Sequence, residues 1–190
     1  MKNILTAFLM HLTVIAAGAQ YVYSTDHATI SFFSSAPLED IKATSNAGSA
    51  AIDAHTGSVY VKVQIRSFGF RKSLMQEHFN EKYMESDKYP YAEFKGKIAE
   101  DISRLKDGEY AVTVQGNLNV HNVAKEYTVN AMLSVTGEKI LVGSTFNIKL
   151  ADHKIRIPSI VISNIAEIVE VTVSGLLIAR IDQGPKKVYE

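Results

Sequence analysis

The chain has 190 residues, 46% of them hydrophobic, with 20 basic side chains, 20 acidic side chains and no cysteine. This length fits one domain whose core is large enough to fold without disulfides or a structural metal. The basic and acidic residues are dispersed along the chain and balance each other. The sequence therefore shows no basic cluster of the kind that binds nucleic acid or an anionic membrane. Without a cysteine, disulfide use says nothing about the compartment.

The N-terminal segment has the parts of a secretory signal. Lys2 supplies a positive start, residues 4–15 are mostly apolar, and residues 17–19 are small. The alternative is a buried N-terminal strand or helix, but the apolar run is too short to span a bilayer and ends in a cleavage pattern. We therefore expect a signal peptide over 1–19, a single domain over 20–190, and a periplasmic or secreted protein without an integral membrane span.

Period-two alternation of apolar and polar residues predicts a series of strands along the rest of the chain. It is clearest where Val59, Val61, Val63 and Ile65 alternate with polar or amphipathic residues, as in a strand with one wet face. Taken in chain order, the predicted strands are residues 29–34, 40–52, 59–66, 91–102, 109–120, 126–136, 139–150 and 169–177.

Turn chemistry separates these strands and indicates sequential hairpins. Residues 53–57, 106–108 and 136–138 each contain glycine beside residues that accept tight or left-handed backbone conformations.

One amphipathic helix is predicted between the strands, from Ser73 to about Ser86. Ser73 and Gln76 have the spacing of a capping box, and Pro90 prevents the helix from continuing.

These elements predict an all-β fold, an extended antiparallel up-and-down β-barrel of about eight strands with one amphipathic helix inserted. Such a barrel is either plugged by its own side chains or holds one elongated ligand, and composition does not choose between them. An outer-membrane barrel with its apolar face outward is a further alternative. The absence of Trp for interfacial girdles and the inserted helix argue against it.

The residues that could carry chemistry are dispersed. Beyond the signal, the histidines form no HxH or HxxxH pair, and no serine lies in a Gly-x-Ser-x-Gly elbow. We therefore expect no metal site, no cofactor and no enzyme activity, with a hydrolase using an unrecognised site as the minority hypothesis. His78 on the helix and His121 in a hairpin turn are the polar residues that could lie near a barrel mouth, where a lipid head group would sit; the alternative role for both is packing or turn stabilisation.

Several stretches of the sequence resemble the YceI-like family. The resemblance starts with the Asp-x-x-Thr-x-x-Phe order of residues 26–32. It is carried further by Ser67-Phe68-Gly69-Phe70, by Leu74-Met75-x-x-His78-Phe79-Asn80-x-x-Tyr83-Met84-x-Ser86-x-x-Tyr89-Pro90-x-Ala92-x-Phe94-x-Gly96, by Gly116-x-Leu118-x-Val120-His121-x-Val123, and by Phe146-x-Ile148 through Ile155-x-Ile157-Pro158. Asn122 stands where the family usually has Gly, and Asn tolerates the positive φ of such a turn.

The resemblance implies a lipocalin-like barrel, exported in bacteria, whose hydrophobic tunnel holds a polyisoprenoid or similar long-chain lipid, with no enzyme activity as a rule. The expected function is therefore lipid binding for transport, storage or sequestration. The alternative is a plugged barrel that acts as an interaction or stress-response module. The expected partner is a long-chain isoprenoid or quinone-like lipid, with a homodimer as a further expectation.

A tunnel of this kind would be lined by the inward-facing apolar residues, with lipid exchange gated by the helix. Small residues at Ala92, Gly96, Gly116 and Ala131 suggest room for a ligand. The candidate lipid-binding residues are Ile30, Phe32, Phe68, Phe70, Met75, His78, Phe79, Phe94, Val114, Leu118, Val129, Leu133, Phe146, Ile148, Val171 and Val173.

Overall fold

A computed structural model of the chain describes residues 21–35, 40–157 and 166–181. The predicted signal peptide lies outside these residues. The strands are β1 (Tyr21–Ser34), β2 (Ile41–Asp53), β3 (Ser58–Gln64), β4 (Gly69–Phe70), β5 (Tyr91–Ile98), β6 (Gly108–Val120), β7 (Val123–Thr136), β8 (Lys139–Lys149) and β9 (Ile168–Ile181).

Eight of these strands close into one antiparallel barrel. Each of β1, β2, β3, β5, β6, β7, β8 and β9 pairs with the next in this order, and β1 pairs with β9 to complete the circle. The two-residue strand β4 is attached to β2. The predicted lipocalin-like, up-and-down barrel is confirmed, and closure leaves no unpaired edge among the eight long strands.

The hairpin turns follow the predicted turn chemistry. Gly57 and Gly137 have φ values of 74° and 55°, in the left-handed region that glycine adopts without strain. Between β6 and β7 the turn consists of His121 and Asn122, with φ values of 52° and 56°. The prediction that Asn122 takes a positive φ is confirmed.

The barrel has two ends. One end, the floor, is formed by the connections β2–β3, β5–β6 and β7–β8. The other end, the mouth, is formed by residues 65–90, the turn at 121–122, the end of β1 with the start of β2, and the end of β8 with the start of β9. The mouth therefore carries the helical segment and the longest connection of the fold.

The helical segment at the mouth is shorter and less regular than predicted. It consists of α1 (Ser73–His78) followed by a π-helical turn at Phe79–Tyr83. The predicted capping box is wrong, because Lys72 occupies the N-cap and provides no side-chain cap. Gln76 instead accepts a hydrogen bond from the backbone N–H of Phe70 at 3.4 Å. No helix in the described part of the chain is long and apolar enough to cross a membrane.

The apolar face of each strand points into the barrel, and the polar face points outward. Fully buried Leu133, Ile140 and Leu177 meet in the interior, whereas on the outside Glu93 accepts a hydrogen bond from Tyr60 and forms a salt bridge with Lys62. This orientation is the reverse of the one that the outer-membrane alternative requires.

Candidate functional site

The interior of the barrel contains a cavity of about 450 Å³. Its wall is built by the inward-facing positions of the strands and by the helical segment, so it is almost entirely hydrocarbon. The structure brings all the candidate residues together on this wall: Ile30, Phe32, Phe68, Phe70, Met75, His78, Phe79, Phe94, Val114, Leu118, Val129, Leu133, Phe146, Ile148, Val171 and Val173.

The interior is packed at the floor and hollow in the middle, and it is packed again at the mouth, where Ile65, Leu118 and Ile148 are buried. At the floor, the side chains of Leu133, Ile140 and Leu177 are at most 1% exposed. Inward-facing Val142, which is opposite Leu133 in the β7–β8 register, and Phe146 are only half-buried, although they lie on the cavity wall. Because close packing leaves few voids in an ordinary core, this exposed inner surface marks a space closed at one end by packed side chains.

Four phenylalanines from separate segments pack together beside the mouth. Phe79, from the π-helical turn, has its ring centroid 5.4 Å from that of Phe32, 5.9 Å from that of Phe68 and 4.9 Å from that of Phe70. These separations are typical of aromatic pairs that stabilise each other beyond simple burial. Phe79 therefore fixes the helical segment over the mouth half of the cavity.

Two glycines allow the ring of Phe94 to lie flat against the wall. Gly96 and Gly116 face each other on β5 and β6, and a Cβ built at either position would lie within 2.8 Å of the Phe94 ring. The ring thus fills the space that the sequence analysis assigned to a ligand at these glycines, and that expectation is wrong. Ala92 and Ala131, by contrast, lie on the cavity wall.

Few polar side chains face the cavity. Among them, the hydroxyl of Ser144 donates a hydrogen bond to the backbone carbonyl of Asn130 at 2.7 Å, and the imidazole of His78 lies on the wall. His121 does not reach the cavity, because its Nε2 lies 2.9 Å from Glu85 Oε2 and its ring packs on Tyr89. The described residues include no group of three His, Asp or Glu side chains that could hold a metal ion.

The fully buried His153 links two parts of β7 near the mouth, next to the cavity. Nδ1 of His153 lies 2.9 Å from the carbonyl oxygen of Val123, to which it donates, and Nε2 lies 3.1 Å from the hydroxyl of Tyr127. Burial raises the pKa of Tyr127, which keeps its phenol protonated to donate to Nε2. The ring of Tyr127 in turn packs on Phe146 of the cavity wall.

We expect this histidine to make the protein less stable in mild acid. Burial lowers the pKa of His153 below its ordinary value of 6.5. Between the lowered pKa of His153 in the folded protein and its ordinary value of 6.5, the unfolded chain binds more protons at this histidine than the folded protein does. The free energy of unfolding therefore falls as the pH falls through this range. Urea unfolding at about pH 7.5 and about pH 5.5 measures this loss.

The His153→Gln variant is the control, because its side chain does not titrate. It should unfold more easily at both pH values but lose the decrease between them. In stronger acid the variant should still lose stability as the wild type does. This loss comes from Glu93, Glu100 and Asp101, because hydrogen bonds in the folded protein hold the pKa values of their carboxyl groups below the ordinary range. An unchanged decrease in the variant would show that His153 is not its source.

The sequence analysis missed part of the wall. Some missed residues occupy inward positions of the predicted strands. The others belong to connections, where apolar and polar residues do not alternate. The first kind could have been found from alternation alone, as for Val59, Val61 and Val63 on β3. The missed wall residues are Ser34, Ile41, Ile52, Val59, Val61, Val63, Ile65, Tyr83, Met84, Ile98, Val112, Val120, Val142, Ser144, Leu150, Ile155, Ile157 and Val169. Glu93 also borders the cavity, although its side chain points outward to Tyr60 and Lys62.

Solved structures share this barrel. A polyisoprenoid binding domain from Saccharophagus degradans, implicated in plant cell wall breakdown, is 17% identical, with 85% of this chain and 99% of that chain covered and a TM-score of 0.73. Burkholderia cenocepacia BcnA is 17% identical, covering 79% and 95%, with a TM-score of 0.64. A Campylobacter jejuni YCEI protein is 14% identical, covering 92% and 91%, with a TM-score of 0.54.

The comparison with curated proteins finds no match. The solved structures are too distant in sequence to show more than the fold. The profile of the YceI-like domain, however, matches residues 21–176, which is most of the chain and nearly all of its barrel. The chain therefore belongs to the YceI-like family.

Proposed function

We propose that this protein is an exported lipid-binding protein that holds one long-chain apolar ligand inside its barrel. The observation that carries the proposal is the cavity of about 450 Å³, walled by buried and half-buried apolar side chains and closed at the floor. The ligand class is a polyisoprenoid or quinone-like lipid, and the role is transport, storage or sequestration. The solved relative described as a polyisoprenoid binding domain supports this class.

The size of the cavity sets the length of chain that it can hold. A cavity of ~150 Å³ accommodates benzene, so a space of about 450 Å³ holds roughly eighteen carbon atoms. At ~0.8 kcal/mol per buried methylene, such a segment contributes on the order of 14 kcal/mol before the cost of association is subtracted. We infer that a longer isoprenoid places one end inside and leaves the rest at the mouth.

The hollow middle of the barrel favours a carrier over the plugged-barrel alternative. The cavity lies between the packed floor, which includes Leu133 and Ile140, and the buried side chains at the mouth, such as Leu118. Binding without catalysis is proposed because the wall offers mainly hydrocarbon contact. Of its hydroxyls, Ser144 already donates to the carbonyl of Asn130, and Ser34 accepts from the N–H of Ala166. Export to the periplasm or out of the cell rests on the signal pattern of residues 1–19. The homodimer expected from the sequence remains a prediction.

Extraction of the purified protein with organic solvent, followed by mass spectrometry of the extract, tests the ligand class. Protein isolated from the envelope fraction of its own cells should release a lipid with one long apolar chain. A matched extraction after the protein has been unfolded and refolded in detergent-free buffer should release none. An extract without any lipid, together with no uptake of added polyprenol or quinone, would contradict the proposal.

A further inference from the structure

Two polar side chains at the cavity have no partner in the part of the chain that the structure describes. The polar residues that line or border the cavity there are Ser34, His78, Tyr83, Glu93 and Ser144. The two serine hydroxyls already form hydrogen bonds with the main chain, and the carboxylate of Glu93 is held on the outside of the barrel. His78 and Tyr83, by contrast, form no hydrogen bond with any described residue. These two side chains are therefore left for a ligand.

The π-helical turn brings these two side chains to the same cavity. The N–H of Met84 donates to the carbonyl of Phe79 at 2.9 Å, across five residues. A turn closed in this way places residues five apart on one side of the helical segment, whereas in an α-helix residues three or four apart share a side. His78 and Tyr83 are five positions apart, and both line the cavity. The irregular turn thus presents one imidazole and one phenol together.

This pair lies at the mouth end of the cavity. Tyr83 packs against a buried cluster that includes Leu118, Val120 and Ile148, and Val120 directly precedes the turn at 121–122. Both members of the pair are half-buried. Burial raises the pKa of the Tyr83 phenol, so the phenol stays protonated at neutral pH and keeps a proton to donate.

We propose that His78 and Tyr83 bind a neutral, oxygen-bearing head group of the lipid, such as an alcohol or a carbonyl, while the chain runs towards the floor. The phenol of Tyr83 donates to the head-group oxygen, and the imidazole of His78 forms a second hydrogen bond with the head group. The inference rests on the proposed function and defines the polar end of its ligand. Because the cavity holds roughly eighteen carbon atoms, a chain of about three or four isoprene units fills it and places its head at these residues.

The same wall disfavours a charged head group. The described residues that line the cavity include no lysine and no arginine. A phosphate drawn in among them would lose its water without gaining a cation, which costs far more free energy than burying a neutral oxygen that is hydrogen-bonded. We therefore expect the cavity to select the alcohol or carbonyl form of a prenyl lipid over its phosphate.

Competition between three lipids that share the geranylgeranyl chain tests this site. Geranylgeraniol, geranylgeranyl phosphate and the corresponding hydrocarbon without oxygen are offered together in detergent micelles, and native mass spectrometry measures how much of each the protein takes up. The wild type should take up the alcohol in preference to the other two. Tyr83→Phe, which removes only the hydroxyl, should lower the ratio of bound alcohol to bound hydrocarbon roughly tenfold, and His78→Leu should lower it roughly fivefold.

Tyr91→Phe is the matched control, because it removes the same hydroxyl from a tyrosine outside the cavity. Tyr91 is 45% exposed at the start of β5, where Lys62 lies over its ring, and it does not line the cavity. This variant should leave the ratio unchanged. Thermal unfolding checks that each variant is folded. Uptake of the hydrocarbon should be retained in all of them, because the apolar wall is kept.

Equal uptake of the alcohol and the hydrocarbon by the wild type would overturn the head-group site even though the cavity holds a lipid. An unchanged ratio in Tyr83→Phe or in His78→Leu would overturn the role of that residue, and preferential uptake of the phosphate would overturn the neutral head group. Uptake of none of the three lipids would instead count against the proposed function.

Discussion

Replacing Ala131 by Trp should lower the amount of bound lipid about tenfold or more while the barrel stays folded. Ala131 is half-buried on the cavity wall, where Val112 and Ser144 are its neighbours on β6 and β8. A ring of roughly benzene size or larger would occupy about a third of the cavity of about 450 Å³. Each methylene displaced from the cavity costs the ligand ~0.8 kcal/mol. Native mass spectrometry measures the occupancy, and thermal unfolding checks the fold.

Leu133→Trp is the matched control, two residues further along the same strand and face. Leu133 lies at the packed end of the cavity wall and is 1% exposed, so the larger ring has no space and should destabilise the barrel by about 1–3 kcal/mol. The two variants thus separate the hollow part of the wall from its packed end. Full lipid occupancy in a folded Ala131→Trp protein would show that the ligand does not lie where the cavity is.

Replacing Gly116 by Ala should destabilise the protein by about 3 kcal/mol or more, the upper end of overpacking effects. The added Cβ would lie 2.4 Å from the carbonyl oxygen of Lys95 and 2.5 Å from the Cα of Gly96. Backbone atoms within a closed barrel cannot move away as the end of a flexible side chain can. The Phe94 ring, 2.8 Å away, would also be pushed from the wall into the cavity. Urea unfolding measures the loss of stability.

Gly143→Ala is the control for this substitution. Gly143 also lies inside a barrel strand, but nothing lies within 4 Å of a Cβ built there. Its free energy of unfolding should change by no more than about 0.5 kcal/mol. If both variants lost the same stability, the cause would be the general effect of alanine in a strand and not the contact between β5 and β6.

Alternation predicted the wall well because period two fixes the side of the sheet on which a residue lies. Val114, Val129 and Val171 could be assigned to the interior from their phase alone. The same pattern could not show where the interior is hollow, because packed Leu133 and half-exposed Val142 are the same kind of residue in the same phase. That difference depends on how the closed barrel is filled.

Features that depend on contacts between distant segments escaped the sequence analysis. His153 is held by Val123 and Tyr127, which are 30 and 26 residues away along the chain. The ring of Phe94 packs over Gly116 on the neighbouring strand. The sequence analysis interpreted this glycine as room for a ligand, but the missing side chain makes room for the Phe94 ring. The capping box failed for a local reason, since the chain enters the helix one residue earlier than the pattern requires.

Native mass spectrometry of the purified wild-type protein tests the central claim most directly. If one apolar chain occupies the cavity of the barrel, the spectrum should show the polypeptide plus a single lipid mass at one-to-one stoichiometry. That mass should disappear on denaturation and return after incubation with polyprenol. A bare polypeptide before and after incubation with polyprenols and quinones would contradict the account and favour a barrel that acts without a ligand.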